Sequence, residues 1–376
     1  MINLSIPFLR GNEKKYLENC IKTNFVSTVG KYVNEFENLF KKIYGFKYAS
    51  AVNSGTSALH LALKSIGVKK NTLVIMPSYT FAATANAAIY CNAEPWFFDI
   101  NQTLNLDLNL LENTLKIKTY IKQNKLYHKK SHKHVSAIVF VLVLGQVPDL
   151  EKLKKISVKF KCPLIIDSAA AHFSSYKKNN ISKYNLNCCY SFNGNKSLTT
   201  GSGGIFATNN KNISKKFKNF ANICKNKNGY GYNDVGYNYK MSNLNAAVGL
   251  AQLETFYKIK KIKKKIYHSY DFLFKNLIKF KKIDSNPNND FVTWVYGLKT
   301  NYYKKTFSEL RKNKIFIKHF WKPLHLQKPY KKFLLEKQSV SQNIWKKIIT
   351  LPSSPDLNKN DIKKISKIIL KIDNER

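Results

Sequence analysis

A single lysine stands in a polar, glycine-rich loop, although the chain as a whole is rich in lysine. Lys196 lies within residues 191–204, and residues 184–210 contain no other lysine. A lysine among small residues can lose solvation, which lowers its pKa and makes the amine a nucleophile and a proton carrier. The glycines that follow let the backbone approach a flat ligand closely. We therefore interpret Lys196 as a candidate catalytic amine.

An aspartate ends an apolar segment that we predict to be a buried strand. Asp167 follows Leu164, Ile165 and Ile166 and precedes a run of small residues. A carboxylate that emerges from a buried strand is unfavourable unless it meets a positive partner. A protonated pyridine nitrogen is such a partner, and keeping that ring protonated makes it an electron sink. The alternative is that Asp167 caps the next helix.

A tight turn at Gly55 links a predicted strand to a predicted helix. Residues 53–57 read Asn-Ser-Gly-Thr-Ser and follow the predicted strand at residues 48–52. Backbone N–H groups and the helix dipole at such a helix start attract a phosphate. Small-residue turns before helices are common, so this turn indicates a phosphate site only in combination with Asp167 and Lys196.

Alternating strands and helices are needed to position these residues. Apolar segments predict strands at residues 48–52, 73–76, 95–99, 135–144, 164–167 and 188–192, and helices at residues 57–66 and 82–90. This alternation predicts an α/β fold with a mostly parallel central sheet, and ligands at the carboxyl ends of its strands. We place a large domain at residues 1–255 and a smaller C-terminal α/β domain at residues 256–376.

The later part of the chain is predicted with less detail. A lysine-rich amphipathic helix is expected at residues 253–267, because its isoleucines recur every three to four positions. Beyond it we predict a strand at residues 294–298, a helix at residues 306–312, and a last helix at residues 361–372 capped by Asn360. The basic segment 113–134 is interpreted as a solvated helix end or loop, since no carboxylate or cysteine accompanies its histidines.

The formal net charge is +42, from 64 Lys and Arg against 22 Asp and Glu. Such a balance is typical of proteins that bind nucleic acid or an anionic membrane. The only arginines are Arg10, Arg311 and Arg376, whereas base and phosphate recognition relies on the planar guanidinium group. The lysines are also spread along the chain. We therefore predict a solvated surface that binds no nucleic acid but favours anionic ligands, such as a nucleotide diphosphate.

Cysteine usage and hydropathy indicate a cytoplasmic protein. Six cysteines show no zinc-type or redox spacing, and in a chain of 376 residues they indicate free thiols in a reducing compartment. The N-terminal segment, residues 1–7, is too short and too polar for a signal peptide. No window approaches the roughly 18 continuous apolar residues of a membrane span. We predict neither a membrane span nor a metal site.

Taken in order, these motifs resemble the DegT/DnrJ family of sugar aminotransferases. The similarity runs through residues 53–60, 77–86, 167, 191–201, 236–247, 323–325 and 351–352. It therefore covers nearly the whole chain. Within the family, residues 11–16, 26–31 and 191–196 look like one branch. Its members aminate carbon 4 of UDP-linked 4-keto-6-deoxy-N-acetylhexosamines, on routes to bacillosamine- or legionaminic-acid-type sugars.

The resemblance implies an aspartate aminotransferase-like fold, pyridoxal 5'-phosphate as cofactor, and a homodimer that shares its active sites between subunits. It implies that Lys196 forms the Schiff base with the cofactor and that Asp167 pairs with the pyridine nitrogen. The other cofactor-binding positions follow from the same resemblance: Phe81 against the ring, Gly55, Thr56, Ser57 and Ser191 at the phosphate, and Asn243 reaching the phosphate from the neighbouring subunit.

Three positions depart from the family pattern. Ala170 stands where the family usually has Gln or Glu near the cofactor's phenolic oxygen. Leu142 replaces a common His, and Lys240 replaces the usual Arg. Loss of the partner at Ala170 is expected to shift the pKa of the Schiff base and to slow the enzyme. Lys196 is nevertheless present, and this residue decides the reaction class.

The resemblance implies transamination of a nucleotide-linked 4-keto-6-deoxy sugar to a 4-amino sugar, with glutamate as the amino donor, in surface polysaccharide or glycan biosynthesis. One alternative keeps the fold and the cofactor, because some relatives are sugar 3-dehydratases. Those relatives replace the lysine by His, so Lys196 argues against this alternative. Another is a protein that binds nucleic acid or membranes on a decayed scaffold, with Ala170 as a sign of decay. The otherwise complete cofactor-binding set argues against it.

Overall fold

Buried strands alternate with helices through the first part of the chain. The computed structural model describes residues 1–226, 228–290 and 292–375. Its helices are α1 (Glu13–Lys22), α2 (Lys31–Tyr44), α3 (Gly55–Ser65), α4 (Ala82–Tyr90), α5 (Leu108–Lys118), α6 (Leu150–Lys159), α7 (Lys211–Ala221), α8 (Asn243–Glu254), α9 (Phe256–Leu273), α10 (Tyr303–Lys312), α11 (Ser339–Ile344) and α12 (Lys359–Asn374). Its strands are β1 (Tyr48–Val52), β2 (Thr72–Pro77), β3 (Glu94–Phe98), β4 (Thr119–Lys122), β5 (Lys125–His128), β6 (His134–Val141), β7 (Leu164–Asp167), β8 (Ser175–Tyr176), β9 (Asn187–Ser191), β10 (Gly204–Thr208), β11 (Phe280–Lys282), β12 (Asn289–Asp290), β13 (Tyr296–Thr300), β14 (Lys318–His319), β15 (Leu334–Leu335) and β16 (Ile348–Leu351).

The main strands of the large sheet follow the order β1-β10-β9-β7-β6-β2-β3-β15. Neighbouring strands from β9 to β15 are parallel, whereas β1 and β10 form an antiparallel edge. Strands β2, β6 and β7 are buried along almost their whole length. Parallel strands covered on both faces are apolar throughout, which is why the sequence reveals them as continuous apolar runs. The predicted α/β fold with a mostly parallel sheet is confirmed.

The carboxyl ends of the parallel strands bring the candidate residues to one edge of this sheet. β7 ends at Asp167, and its parallel neighbour β9 ends at Ser191. β6 and β2 run in the same direction and end on the same edge. The turn into α3 reaches this edge as well, because Val52 at the end of β1 pairs with Gly204 at the start of β10. The fold therefore gathers residues that are far apart in the sequence.

A smaller antiparallel sheet, β11-β13-β16-β14, occupies the C-terminal part of the chain. It shares a separate apolar core with α9, α10 and α12, represented by Ile266, Leu310 and Ile369. Strand β15 instead pairs in parallel with β3, so residues 334–335 return to the large sheet. The predicted division at residue 255 falls between α8 and α9 and stays a prediction.

Several expectations from the sequence differ from the structure. The strand predicted at residues 135–144 ends at Val141, and the strand predicted at residues 294–298 lies at residues 296–300. The helix predicted at residues 253–267 is interrupted at Thr255. Residues 253–254 are the end of α8, and residues 256–267 belong to α9. The basic segment 113–134 holds a helix end and also the β4–β5 hairpin, which the sequence did not predict. The last helix is capped by Asn358, whose side chain accepts the Asp361 N–H. The prediction of Asn360 as the cap is wrong, because Asn360 already lies within the first turn. The six cysteines are free, as predicted, and buried.

Candidate active site

A cavity of about 560 Å³ opens at the carboxyl edge of the large sheet. Six of the eight predicted cofactor-binding residues line it: Gly55, Thr56, Phe81, Asp167, Ser191 and Lys196. Lys318 and Thr350 of the smaller sheet also line it, together with Trp294, which lies just before β13. The cavity is therefore built between the two sheets, and the sequence predicted only the side that belongs to the large one.

Lys196 lies partly buried in the cavity wall. Its Nζ is 4.0 Å from the centre of the Trp294 ring. Burial lowers the pKa of the Lys196 amine to about 8, and the nearby charge of Asp167 opposes this shift only in part. About a tenth of the amine is thus neutral at pH 7, far more than for an ordinary lysine, and the neutral form acts as nucleophile and proton acceptor.

Asp167 is 5% exposed at the end of β7. Its Oδ2 accepts a hydrogen bond from Thr84 Oγ1 at 2.9 Å, and its Oδ1 accepts the Ala169 N–H at 3.1 Å. Burial raises the pKa of Asp167 despite these two donors and the charge of Lys196. The two hydrogen bonds and the charge of Lys196 therefore do not fully offset the cost of burying the carboxylate, so the site suits a further positive group. The alternative that Asp167 caps a helix is wrong, because residues 168–174 form turns.

The start of α3 forms a compact cradle beside β9. Ser54 caps the helix, and its Oγ accepts the Ser57 N–H at 3.0 Å. A Cβ added at Gly55 would lie 2.8 Å from Ser191 Cβ, so only glycine allows this approach of α3 to β9. The N–H groups of Gly55 and Thr56 remain at the positive end of the helix, beside the cavity, where an anionic group can bind.

Ser57 and Asn243 lie outside the cavity lining. The Ser57 hydroxyl donates to Asn53 Oδ1 at 2.7 Å, which stabilises the turn. Asn243 is buried, its Nδ2 donates to the Phe25 carbonyl at 2.7 Å, and its Oδ1 accepts the Tyr32 N–H. Direct contacts of Ser57 and Asn243 with a phosphate stay predictions. Within one chain, the Asn243 side chain binds backbone groups of the α1–α2 region instead.

The sequence did not assign a role to His172, which supports Ser191 from behind. Its Nε2–H donates to the Ser191 carbonyl at 2.8 Å, so Nδ1 accepts the Tyr44 hydroxyl at 3.1 Å. Burial lowers the pKa of His172 to about 4, and the ring is therefore neutral at physiological pH. The position of His172 shortly after Asp167 was visible in the sequence, but only the fold shows that it contacts β9.

Ala170 and Leu142 both line the cavity. Each is apolar at a position where the family pattern has a polar side chain, so the wall near them offers no side-chain hydrogen bond. Thr80, in contrast, lies in the lining, and its hydroxyl is 2.9 Å from that of Thr84. Together with the Thr84–Asp167 hydrogen bond, this contact forms a chain of two hydroxyl groups that ends at the Asp167 carboxylate.

Comparison with known proteins identifies the chain as a sugar aminotransferase. The DegT/DnrJ/EryC1/StrS aminotransferase family model matches residues 7–370, and the chain belongs to this family. It is 30% identical to the GDP-perosamine synthase of Vibrio cholerae, over 98% of each chain. It is 28% identical to a UDP-4-amino-4,6-dideoxy-N-acetyl-beta-L-altrosamine transaminase of Campylobacter jejuni, over 92% of this chain and 91% of that one.

Solved structures show the same fold. Helicobacter pylori PseC, an aminotransferase involved in the biosynthesis of pseudoaminic acid, superposes with a TM-score of 0.89 at 23% identity, over 99% of both chains. This similarity confirms the fold. The match to the family model confirms the resemblance inferred from the motifs and the class of enzyme. No helix in the described part of the chain is long and apolar enough to cross a membrane.

Proposed function

We propose that this aminotransferase uses pyridoxal 5'-phosphate to convert a nucleotide-linked 4-keto-6-deoxy sugar into the 4-amino sugar, with glutamate as amino donor, for surface polysaccharide or glycan biosynthesis. The observation that carries the proposal is that Lys196 and Asp167 line the same cavity. The pKa of the amine is lowered to about 8 and that of the carboxylate is raised, and both shifts arise from burial. Family membership supports the same chemistry.

The cavity residues fit the cofactor. Asp167 would hold the pyridine nitrogen, Lys196 the aldehyde carbon, and the start of α3 at Gly55 and Thr56 the phosphate. Phe81, a residue that is 60% exposed and lines the cavity, would cover one face of the ring. Once bound, the cofactor supplies the electron sink that stabilises negative charge on the carbon being deprotonated.

The protein's own residues then move protons and orient groups. Lys196 Nζ, partly neutral near its pKa of about 8, accepts the proton that leaves the α carbon of the donor. The same atom returns a proton to carbon 4 of the sugar in the second half of the reaction. Asp167, held by Thr84 and the Ala169 N–H, keeps its charge in place beside the ring nitrogen.

The outer wall of the cavity supports a nucleotide-linked substrate. Trp294, Phe320 and Trp321 provide aromatic faces, and the exposed Lys318 provides a positive charge beside them. Aromatic faces can stack on a base, and a lysine attracts a diphosphate. The two relatives named above carry GDP and UDP sugars in their names, so both nucleotides belong in the test.

A homodimer is part of the same proposal. The loop between α1 and α2 exposes Phe25, Val26 and Val29, although its backbone is held by Asn243. Exposed apolar side chains grouped on one loop are typical of a surface covered by a second subunit. Sedimentation of the purified protein should show a particle of two chains, and a monomer at micromolar concentration would contradict this part of the proposal.

The decisive experiment measures product mass. Purified protein is incubated with pyridoxal phosphate, glutamate and a panel of UDP-, GDP- and dTDP-linked 4-keto-6-deoxy sugars. Transamination replaces the carbonyl oxygen by an amine, whereas a dehydratase would remove water. Lys196→Ala should abolish the aminated product, and Lys264→Ala, an exposed lysine on α9, is the matched control. Full turnover by Lys196→Ala would show that the proposed mechanism is wrong.

A further inference from the structure

One lysine of the basic helix α9 is buried. Lys263 is 2% exposed, whereas its neighbours Lys261, Lys264 and Lys265 are exposed. Its Nζ donates to the carbonyl of Trp294 at 2.9 Å and to the carbonyl of Ser353 at 2.8 Å. Within the described residues no carboxylate pairs with it, and burial lowers its pKa to about 7. A buried amine without a carboxylate partner is unfavourable, so its two contacts need an explanation.

The two carbonyls belong to residues just beyond the paired ends of the neighbouring strands β13 and β16. Tyr296 in β13 pairs with Leu351 in β16, and continuing that register places residue 294 opposite residue 353. The Tyr296 N–H instead bonds the Ser353 hydroxyl, so the regular ladder has already stopped. Lys263 bridges the two strand ends from α9, where no backbone partner joins them. The backbone of Trp294 is thereby fixed from behind.

The side chain of Trp294 contacts the loop of Lys196 in two ways. Its ring lies 4.0 Å from Lys196 Nζ, and its Nε1–H donates to the Asn195 carbonyl at 2.6 Å. The Ser5 hydroxyl donates to the same carbonyl at 2.9 Å. The residue before the candidate catalytic lysine is thus held by groups from outside the large sheet, and Trp294 also covers the amine.

We propose that Lys263 is a positioning residue for Lys196. By fixing the Trp294 backbone, it holds the indole ring over the amine and the indole N–H against the Asn195 carbonyl. A protonated or neutral amine can donate to both carbonyls, whereas a methionine of similar length leaves both without a partner. One buried side chain of α9 thereby holds the catalytic lysine in position. The inference rests on the proposed function only in naming Lys196 as the catalytic amine.

The test labels Lys196 without cofactor or substrate. Protein is treated with acetic anhydride over a range of pH, and the acetylated fraction of Lys196 is measured by peptide mass spectrometry. The midpoint in the wild-type chain should lie near the Lys196 pKa of about 8. In Lys263→Met it should move upward, toward the ordinary 10.5, because a displaced indole lets water reach the amine. Loss of the cation–π contact acts in the opposite direction, but the lowered pKa shows that burial outweighs it.

Two further variants keep the test decisive. Lys264→Met changes an exposed lysine on the same helix and should keep the wild-type midpoint. Trp294→Phe keeps an aromatic ring but removes the donor to Asn195, so its midpoint should move in the same direction as that of Lys263→Met. Because Trp294 is partly exposed in the cavity wall, this variant carries the test if Lys263→Met does not fold. Combining both substitutions should shift the midpoint no further than the larger single effect.

The outcomes separate positioning from mere stability. A lower melting temperature in Lys263→Met with an unchanged Lys196 midpoint would overturn the proposal, and so would an unchanged midpoint in Trp294→Phe. In the loaded enzyme we expect kcat to fall about 10- to 100-fold in Lys263→Met, as a displaced reacting group requires, with a smaller change in KM. A shifted midpoint together with no aminated product from any sugar would sustain the positioning role and refute the proposed function.

Discussion

The hydroxyl of Thr84 provides the sharpest test of how the site holds its carboxylate. Thr84 Oγ1 donates to Asp167 Oδ2 at 2.9 Å, and the Thr80 hydroxyl lies 2.9 Å from that of Thr84. Thr84→Val removes the donor and preserves the shape of the side chain. The pKa of Asp167 is already raised by burial, so losing a donor raises it further and favours the neutral acid. A neutral acid does not attract a protonated ring nitrogen.

The magnitude follows from the strength of a hydrogen bond to a charged group. Such a bond contributes about 1.5–3 kcal/mol, and about 1.4 kcal/mol changes an equilibrium tenfold, so pyridoxal phosphate should bind about 10- to 100-fold more weakly. Thr84→Ser keeps the hydroxyl and should bind within a few-fold of the wild type. Thr80→Val removes only the outer hydroxyl and should have an intermediate effect.

The assay is a titration of the cofactor-free protein with pyridoxal phosphate, followed by absorbance of the bound cofactor at several pH values. The loss in Thr84→Val should be larger at low pH, where a raised pKa leaves less of Asp167 ionised, and smaller at high pH. Equal dissociation constants for Thr84→Val and Thr84→Ser at every pH would refute the reasoning. A loss that does not depend on pH would show that Thr84 acts through packing instead.

Three further predictions concern the cradle, the supporting histidine and the amine. Gly55→Ala forces a Cβ to 2.8 Å from Ser191 Cβ. Overpacking costs about 1–3 kcal/mol, so cofactor affinity measured by titration should fall about tenfold. Gly194→Ala, where the nearest atom lies at 3.6 Å, should leave it unchanged. His172 has a folded pKa of about 4, below its ordinary 6.5, so the unfolded chain binds the extra proton. Stability is therefore lost as pH falls below 6.5, by about 2 kcal/mol at pH 5 in urea unfolding, and His172→Gln should lack this loss. Borohydride trapping of pyridoxal phosphate on Lys196 should increase as pH rises through about 8, and a midpoint near 10 would contradict the burial of that amine.

The parallel core of the fold was predictable because burial on both faces leaves a plain signature. β7 of the parallel core has the predicted bounds, because its apolar run stops at Asp167. The antiparallel edge strand β1 and the helix α4 have their predicted bounds as well. The β4–β5 hairpin was missed for a local reason. Gln123 and Asn124 close it with φ of 49° and 58°, the two left-handed residues that a tight hairpin turn needs. Asn-Gly at these positions would have indicated the turn, but Gln-Asn does not.

The candidate site was predictable only on the side built by local sequence. Lys196, Asp167 and Gly55 each lie in a short motif whose chemistry can be read in isolation. Trp294, Thr84 and His172 act through tertiary contacts, and no local pattern distinguishes a tryptophan that covers a lysine from one that fills a core. Lys263 was hidden further, because its neighbours make α9 look like a solvated helix.

The opposite pKa shifts of Asp167 and Lys196 indicate what the cavity is built to hold. A direct ion pair would lower the pKa of the acid and raise that of the amine. Here the pKa of Asp167 is raised and that of Lys196 is lowered, so burial outweighs their mutual attraction at both groups. Each therefore needs its own partner, and the two partners must lie at different points of one cavity. A ligand with a protonated nitrogen at one end and an electrophilic carbon nearer the other satisfies both groups at once, and the anion cradle at Gly55 adds a third point. These three points lie at the end of β7, in the loop after β9 and at the start of α3, so the site forms only when these parts of the large sheet come together.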